Sequence, residues 1–230
     1  MKKVNIKGTI VSNDNKFIYD FFGIESVCPK DVSAALAEAD GEDVTVEINS
    51  GGGEVFAGSE LYYMLASYAG NVTIDVVGFA GSAASVVAMA GRCRMVPSGL
   101  MMIHNVAGGA IGDYRDMDHA SSMLKTCNKA IAQAYRMKTK MSESDLLSLM
   151  NKETWLHADD ARQRGFVDEI IGETEQEPAS RTLYNARFAT VLNAETIEKA
   201  RNFLKMSAPE PPKDTGAEEI SKYKNQFEII

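Results

Sequence analysis

Cysteine is scarce in this chain of 230 residues, with only 3, at Cys28, Cys93 and Cys127, and no two at CxxC spacing. An odd number without a pattern excludes a disulfide framework and reads as the reduced thiols of a cytoplasmic protein. The 3 histidines, His104, His119 and His157, are as scattered as the cysteines, so metal ligation is not expected. Positive charge is in deficit, with 24 Lys and Arg against 32 Asp and Glu, a formal net charge of −8. That balance gives no electrostatic reason to bind nucleic acid or an anionic membrane. Long apolar runs are missing as well. The longest uncharged stretch, Val76 to Gly91, is rich in Gly, Ala and Ser and too short for a membrane span. The opening Met1-Lys2-Lys3 leads into Val-Asn-Ile-Lys-Gly without the apolar core of a signal peptide. No phosphate loop of the GxxxxGKS or GxxxxGKT type occurs, so the chain is not expected to hydrolyse ATP by that machinery. The absences together predict a soluble, cytoplasmic protein with no metal or organic cofactor.

What remains is the composition of a folded enzyme-sized domain, 45% hydrophobic and 24% charged. Alternating apolar residues predict a first strand over residues 2–12 and a second over Phe17 to Phe22, after an Asn-Asp-Asn turn. Pro29 suits the first position of a helix reaching Ala39. Strands follow at Val44 to Ile48, Val72 to Val77, Cys93 to Val96 and Leu100 to His104, with helices between several of them. That alternation predicts crossover units and a largely parallel sheet. A long helix is expected from Asp113 to about Lys140, then a shorter one from Ser142, its N-cap, to Met150. After Ile171 the composition turns polar. Residues 1–171 therefore read as the main domain and 172–230 as an extension, with a helix at Ala194 to Met206 and a Pro-rich linker at 208–216.

Three short segments carry possible chemistry. Gly51-Gly52-Gly53 follows a strand and precedes a helix, where free backbone N–H groups can hold an anion or simply make a tight turn. Ser82 follows Gly78-Phe79-Ala80-Gly81 at another strand-to-helix change, so its hydroxyl can be presented at a sharp turn or can cap the helix. Ser85 lies one helical turn further on, and local spacing leaves the choice of nucleophile between the two open. His104 ends a strand beside a Gly-rich loop, a placement that suits a catalytic base or a structural hydrogen bond. His119 and His157 read as solvent-facing.

These segments recur in order. The runs INSGGGEVFAG, GFAGSAAS, MMIHN and ETWLHADDARQRGFVDEI together resemble the ClpP family of serine peptidases across about residues 15–171. The resemblance implies an α/β fold of the ClpP/crotonase type: stacked ββα units, a mostly parallel sheet and a protruding handle helix near 113–140. It implies Ser82 as nucleophile, His104 as general base and Glu153 in the place of the triad's usual aspartate. It further implies that the N–H groups of Gly52 and Ala83 form the oxyanion hole. The in-register Ala90-Gly91 pair favours Ser82 over Ser85. Gly51 departs from the usual proline, and Glu153 adds a methylene to the usual acid. The partners implied are a protein or peptide substrate and further copies of the chain, as a heptameric ring or stacked rings. The opening segment and the region after 171 look most like phage and prophage relatives, for which the implied substrate is a capsid or scaffold protein. The chain starts almost at its first core strand, with no recognisable axial-loop segment, which weakens the expectation of an AAA+ unfoldase partner. The alternatives are a housekeeping subunit working with such an unfoldase, an acyl-CoA enzyme of the same fold, and an inactive assembly protein.

Overall fold

Strand β1 (Lys2–Ile10) opens the sheet by turning Val4, Ile6 and Ile10 into the core while Lys2 and Lys3 stay exposed. The computed structural model describes residues 2–173, 198–200 and 202. After β1 come helix α1 (Lys16–Phe21), strand β2 (Ser26–Val27), helix α2 (Pro29–Ala39), strand β3 (Val44–Gly53), helix α3 (Val55–Ala66) and strand β4 (Val72–Gly81). Helix α4 (Ala83–Val87) leads through a 3-10 turn to strands β5 (Arg92–Met95) and β6 (Leu100–Ile103). Helices α5 (Tyr114–Thr139) and α6 (Glu143–Asn151), strand β7 (Thr154–His157), helix α7 (Ala158–Gln163) and strand β8 (Glu169–Ile170) complete the series.

The sheet has 8 strands, ordered β2-β1-β3-β4-β5-β8, with β6 added to β4 and β7 to β6. Every pairing is parallel except β6 with β7. A parallel sheet covered by crossover helices buries both faces, and its central strands show it. Val44, Val46, Ile48, Ile74 and Val76 are all fully buried. The α/β architecture with a mostly parallel sheet and a long helix is the one expected.

Local sequence explains the helix ends. Pro29 stands in the first turn of α2, and the Cys28 N–H donates to Asp31 Oδ2 at 3.0 Å. Asp113 caps α5 by accepting from the Arg115 N–H at 2.8 Å, while Asp116 returns a bond to the Asp113 N–H at 2.8 Å. Ser142 caps α6 as expected, accepting from the Asp145 N–H at 3.1 Å. Helix α5 is 26 residues long, yet its fully buried residues, Ala132, Ala134 and Tyr135, all lie near its C-terminal end.

Two expectations are corrected. Residues 17–22 form helix α1 with a helix end, not a strand, because a strand would send Asp20 to the same face as Ile18 and Phe22. The helix instead buries the adjacent pair Ile18 and Tyr19 and sets Lys16 and Asp20 one turn apart as an ion pair. The glycines 51–53 do not form a turn outside the sheet. They continue β3, with Gly52 opposite Thr9 and Gly53 opposite Ile10. The chain divides into two units, Met1–Val191 and Leu192–Ile230. In the second unit residues 198–200 and 202 are helical. The rest of the expected helix at 194–206 and the linker at 208–216 lie outside the described residues.

Strand β1 slips register against β3 between Lys7 and Thr9, and Gly8 sits in the slip with φ +70°. A Cβ there would stand 2.0 Å from the Glu25 carbonyl oxygen. Gly8→Ala is expected to lower stability by about 2–4 kcal/mol, from left-handed strain plus a backbone clash. Urea unfolding checks it: a change within about 0.5 kcal/mol, typical of a surface substitution, would contradict the account.

Candidate active site

Strand β4 pairs with β5 as far as Val76 and with β6 from Phe79 to Gly81. The pair Gly81 and Met102 ends that second ladder, so both chains leave the sheet side by side. Ser82 is the next residue on one, and His104 lies two residues on along the other. The Ser82 N–H donates to the Met102 carbonyl at 2.9 Å, which ties the nucleophile candidate to the strand carrying the base candidate.

Ser82 has φ 52° and ψ −124°. A non-glycine residue in this sparsely populated region stores roughly 1–3 kcal/mol of strain, of the kind that accumulates at functional sites. The result is a side chain aimed out of the turn: Ser82 Oγ lies 2.7 Å from His104 Nε2. With the imidazole neutral and its proton on Nδ1, Nε2 accepts from the serine hydroxyl, as a general base must.

Gly52 has φ +93°, and a Cβ on it would stand 2.8 Å from the Ala83 nitrogen and 2.8 Å from Ser82 Cβ. The missing side chain is what lets the β3 backbone approach the serine turn. The structure thus brings Gly52, Ser82, Ala83 and His104 together. The Gly52 N–H itself donates to Ser50 Oγ at 3.1 Å, and Ser50 in turn donates to the Gly8 carbonyl at 2.6 Å. Ala83 is the first residue of α4, where the helix supplies no acceptor for its N–H.

Strands β6 and β7 end their ladder on the pair Ile103 and Thr154, which are the chain neighbours of His104 and Glu153. The Glu153 carboxylate, however, accepts from Trp155 Nε1 at 3.3 Å. Trp155 is itself stacked on Phe79, with ring centroids 5.5 Å apart and planes 6° from parallel. No hydrogen bond joins Glu153 to His104 among the described residues. Glu153 has φ 49°, a second strained residue at this site.

Ser85, the alternative left open by spacing, is fully buried and bonded to the Ser82 carbonyl at 2.6 Å and to Tyr135 Oη at 2.7 Å. Tyr135 was not singled out by sequence, where it reads as one more residue on an apolar helix face. The available signal was that a buried tyrosine hydroxyl needs a partner. The remaining histidines stand apart: His119 is exposed, and His157 Nε2 lies 3.0 Å from Asp160 at the surface. Burial pushes the Cys93 thiol up to about 12, which removes it as a nucleophile. Among the described residues no three His, Cys, Asp or Glu cluster as metal ligands.

A cleft of about 250 Å³ opens over the serine. Its polar lining includes Ser82 and His104, and Val55, Val86, Met102 and Ile131 make much of the rest apolar. No helix among the described residues is long and apolar enough to cross a membrane.

The chain is similar to known proteins. The chain is 33% identical over 137 residues to ATP-dependent Clp protease proteolytic subunit 1 of Chlamydia abortus, covering 57% of this chain and 71% of that protein. It is 26% identical over 160 residues to the ATP-dependent Clp protease proteolytic subunit of Deinococcus radiodurans, covering 66% and 78%. A solved ClpP1 point mutant from Listeria monocytogenes superposes with a TM-score of 0.61 at 21% identity, over 74% of this chain and 91% of that one, and so shares the fold. The Clp protease family profile matches residues 25–174, which is well over half of the sequence, and the chain belongs to the Clp protease family.

Proposed function

We propose that this chain is a serine endopeptidase in which Ser82 attacks the scissile carbonyl and His104 carries the proton. The observation that supports it most directly is the 2.7 Å contact between Ser82 Oγ and His104 Nε2 at a strained turn. As Oγ bonds to the carbonyl carbon, His104 takes the hydroxyl proton and becomes an imidazolium. The tetrahedral oxyanion takes the Ala83 N–H, together with that of Gly52 once it turns from Ser50. A preorganised donor of this kind is worth about 3–4 kcal/mol in the transition state. His104 then gives its proton to the leaving amine, and a water repeats the sequence to release the acyl group. Glu153 serves as the acid by rotating from Trp155 to the Nδ1–H of His104.

Exposed residues on α5 support assembly into rings. Met117, Met123 and Met137 are 42%, 52% and 66% exposed, while the residues buried by their own domain crowd one end of the helix. For the substrate, we favour a phage capsid or scaffold protein, on the likeness of the opening segment and of the region after 171 to phage relatives. The names of the curated relatives support a second reading. Both are proteolytic subunits of ATP-dependent proteases, which favours a housekeeping role beside an AAA+ unfoldase.

Labelling with a fluorophosphonate probe tests the chemistry. Wild type should be labelled at Ser82, Ser82→Ala should lose the label with its unfolding midpoint kept, and Glu153→Gln should react at least about a hundredfold more slowly. A label that moves to another serine, or an undiminished Glu153→Gln, would overturn the corresponding assignment. Sedimentation velocity should show a species far larger than one chain, and a monomer at every concentration and salt would remove the ring. Co-expression with a capsid protein encoded beside it should shorten that protein with wild type but not with Ser82→Ala. Equal lengths in both would turn the search to an unfoldase.

A further inference from the structure

A buried chain of hydroxyls ends on the nucleophile's own carbonyl. Ser85 Oγ lies 2.6 Å from the Ser82 carbonyl oxygen and 2.7 Å from Tyr135 Oη. A serine hydroxyl has one proton, and a carbonyl oxygen can only accept. The Ser85 proton therefore goes to Ser82, and the contact with Tyr135 is made by the phenol's proton. The direction is fixed: Tyr135 O–H to Ser85 O–H to Ser82 C=O. Ser85 is 0% and Tyr135 1% exposed, so water does not compete for either hydroxyl.

We propose that Tyr135 is a positioning residue for hydrolysis at Ser82, acting through Ser85 to fix and polarise the peptide unit between Ser82 and Ala83. The inference rests on Ser82 being the nucleophile. That peptide unit has two ends that matter. Its carbonyl takes the hydroxyl chain, and its N–H belongs to Ala83, beside the reacting oxygen. A hydrogen bond accepted at the carbonyl end deepens the amide dipole and makes the N–H a stronger donor. The carbonyl also accepts from the Ser85 N–H at 3.0 Å and the Val86 N–H at 3.4 Å, so the side-chain bond is the shortest of three. These bonds hold a backbone whose φ of 52° would otherwise relax. Burial keeps the Tyr135 phenol above its ordinary range, so it stays a donor at neutral pH. Tyr135 also meets Phe166 edge-on at 5.7 Å, a packing contact that phenylalanine would preserve. Tyr135→Phe therefore removes the proton and leaves the ring.

The test is the rate of inactivation by an ethoxy fluorophosphonate probe, measured on the full chain as wild type, Tyr135→Phe, Ser85→Ala and the double variant. Each gives a limiting rate, kinact, and a half-saturating concentration, KI. The expected result is a kinact about tenfold lower in each single variant with KI held within about twofold. The double variant should be no slower than the slower single, because both cut the same chain. The pH midpoint of kinact should stay at its wild-type value, since the contact between Ser82 and His104 is untouched. An unchanged kinact in Tyr135→Phe, losses that multiply in the double variant, or an effect confined to KI would each overturn the proposal. If Tyr135→Phe does not fold, Ser85→Ala alone carries the comparison of kinact with KI. A wild type that is not labelled at Ser82 would overturn the nucleophile assignment and this inference with it. A labelled wild type matched by its variants would overturn this inference only.

Discussion

Strand β4 pairs with β3 on one side and with β5 and then β6 on the other, and the site sits where it passes from β5 to β6. Through Val76 it hydrogen-bonds β5, and from Phe79 it follows β6. Gly78 lies in the gap, where a Cβ would stand 2.6 Å from Asn49 Oδ1, the atom that accepts the Phe79 N–H at 3.1 Å. A side chain at 78 would displace the group that accepts the Phe79 N–H. Because β6 is the new partner, the residue after Gly81 emerges next to the end of β6. The meeting of serine and histidine is thus a property of strand pairing rather than of either loop.

The same pairing explains how a strained serine persists in a marginally stable protein. Its N–H is held by Met102 and its carbonyl by Ser85 and Val86, so each end of the turn is tied to a different buried element. Relaxing φ would break bonds to largely buried partners, where an unmet backbone group costs about 1–3 kcal/mol. That penalty is comparable to the strain, and there are several such bonds. Gly52 adds a steric limit from the other side, since its bare Cα is packed against the turn.

The order of segments made the fold and the meeting of Ser82 with His104 legible, because each block fits one structural demand. Small residues at 78–85 permit close passage, and a histidine at a strand end can reach a neighbouring strand's end. Ser142, Pro29 and Asp113 announced their helix boundaries by local chemistry that tertiary contacts did not override. Residues 17–22 misled because period-2 and period-3.6 patterns are hard to separate over six positions, and three of those aromatics stay about half exposed. The glycines at 51–53 misled because a glycine run signals a turn, whereas here it lets β3 continue close beside β1 and β4. Tyr135 was hidden for a different reason. Its partner, Ser85, lies 50 residues away, and no periodicity reports a hydrogen bond across that separation.

The position of Glu153 follows from charge rather than from backbone. In the proposed mechanism the His104 imidazole begins uncharged, and a carboxylate gains little from a neutral ring. The indole N–H of Trp155 is an adequate alternative, held in place by its stack on Phe79. A bond between an indole and a carboxylate at a partly exposed site is worth about 1 kcal/mol net. In the proposed step Ser82 gives up its proton, the ring becomes a cation, and a charge-assisted bond to it is roughly twice as strong as a neutral one. On that proposal the preference of the carboxylate reverses during the reaction. Both residues adjoin the end of the ladder between β6 and β7, whose last pair is Ile103 and Thr154. Under the proposed mechanism, the extra methylene of glutamate over aspartate would let one acid serve both partners in turn.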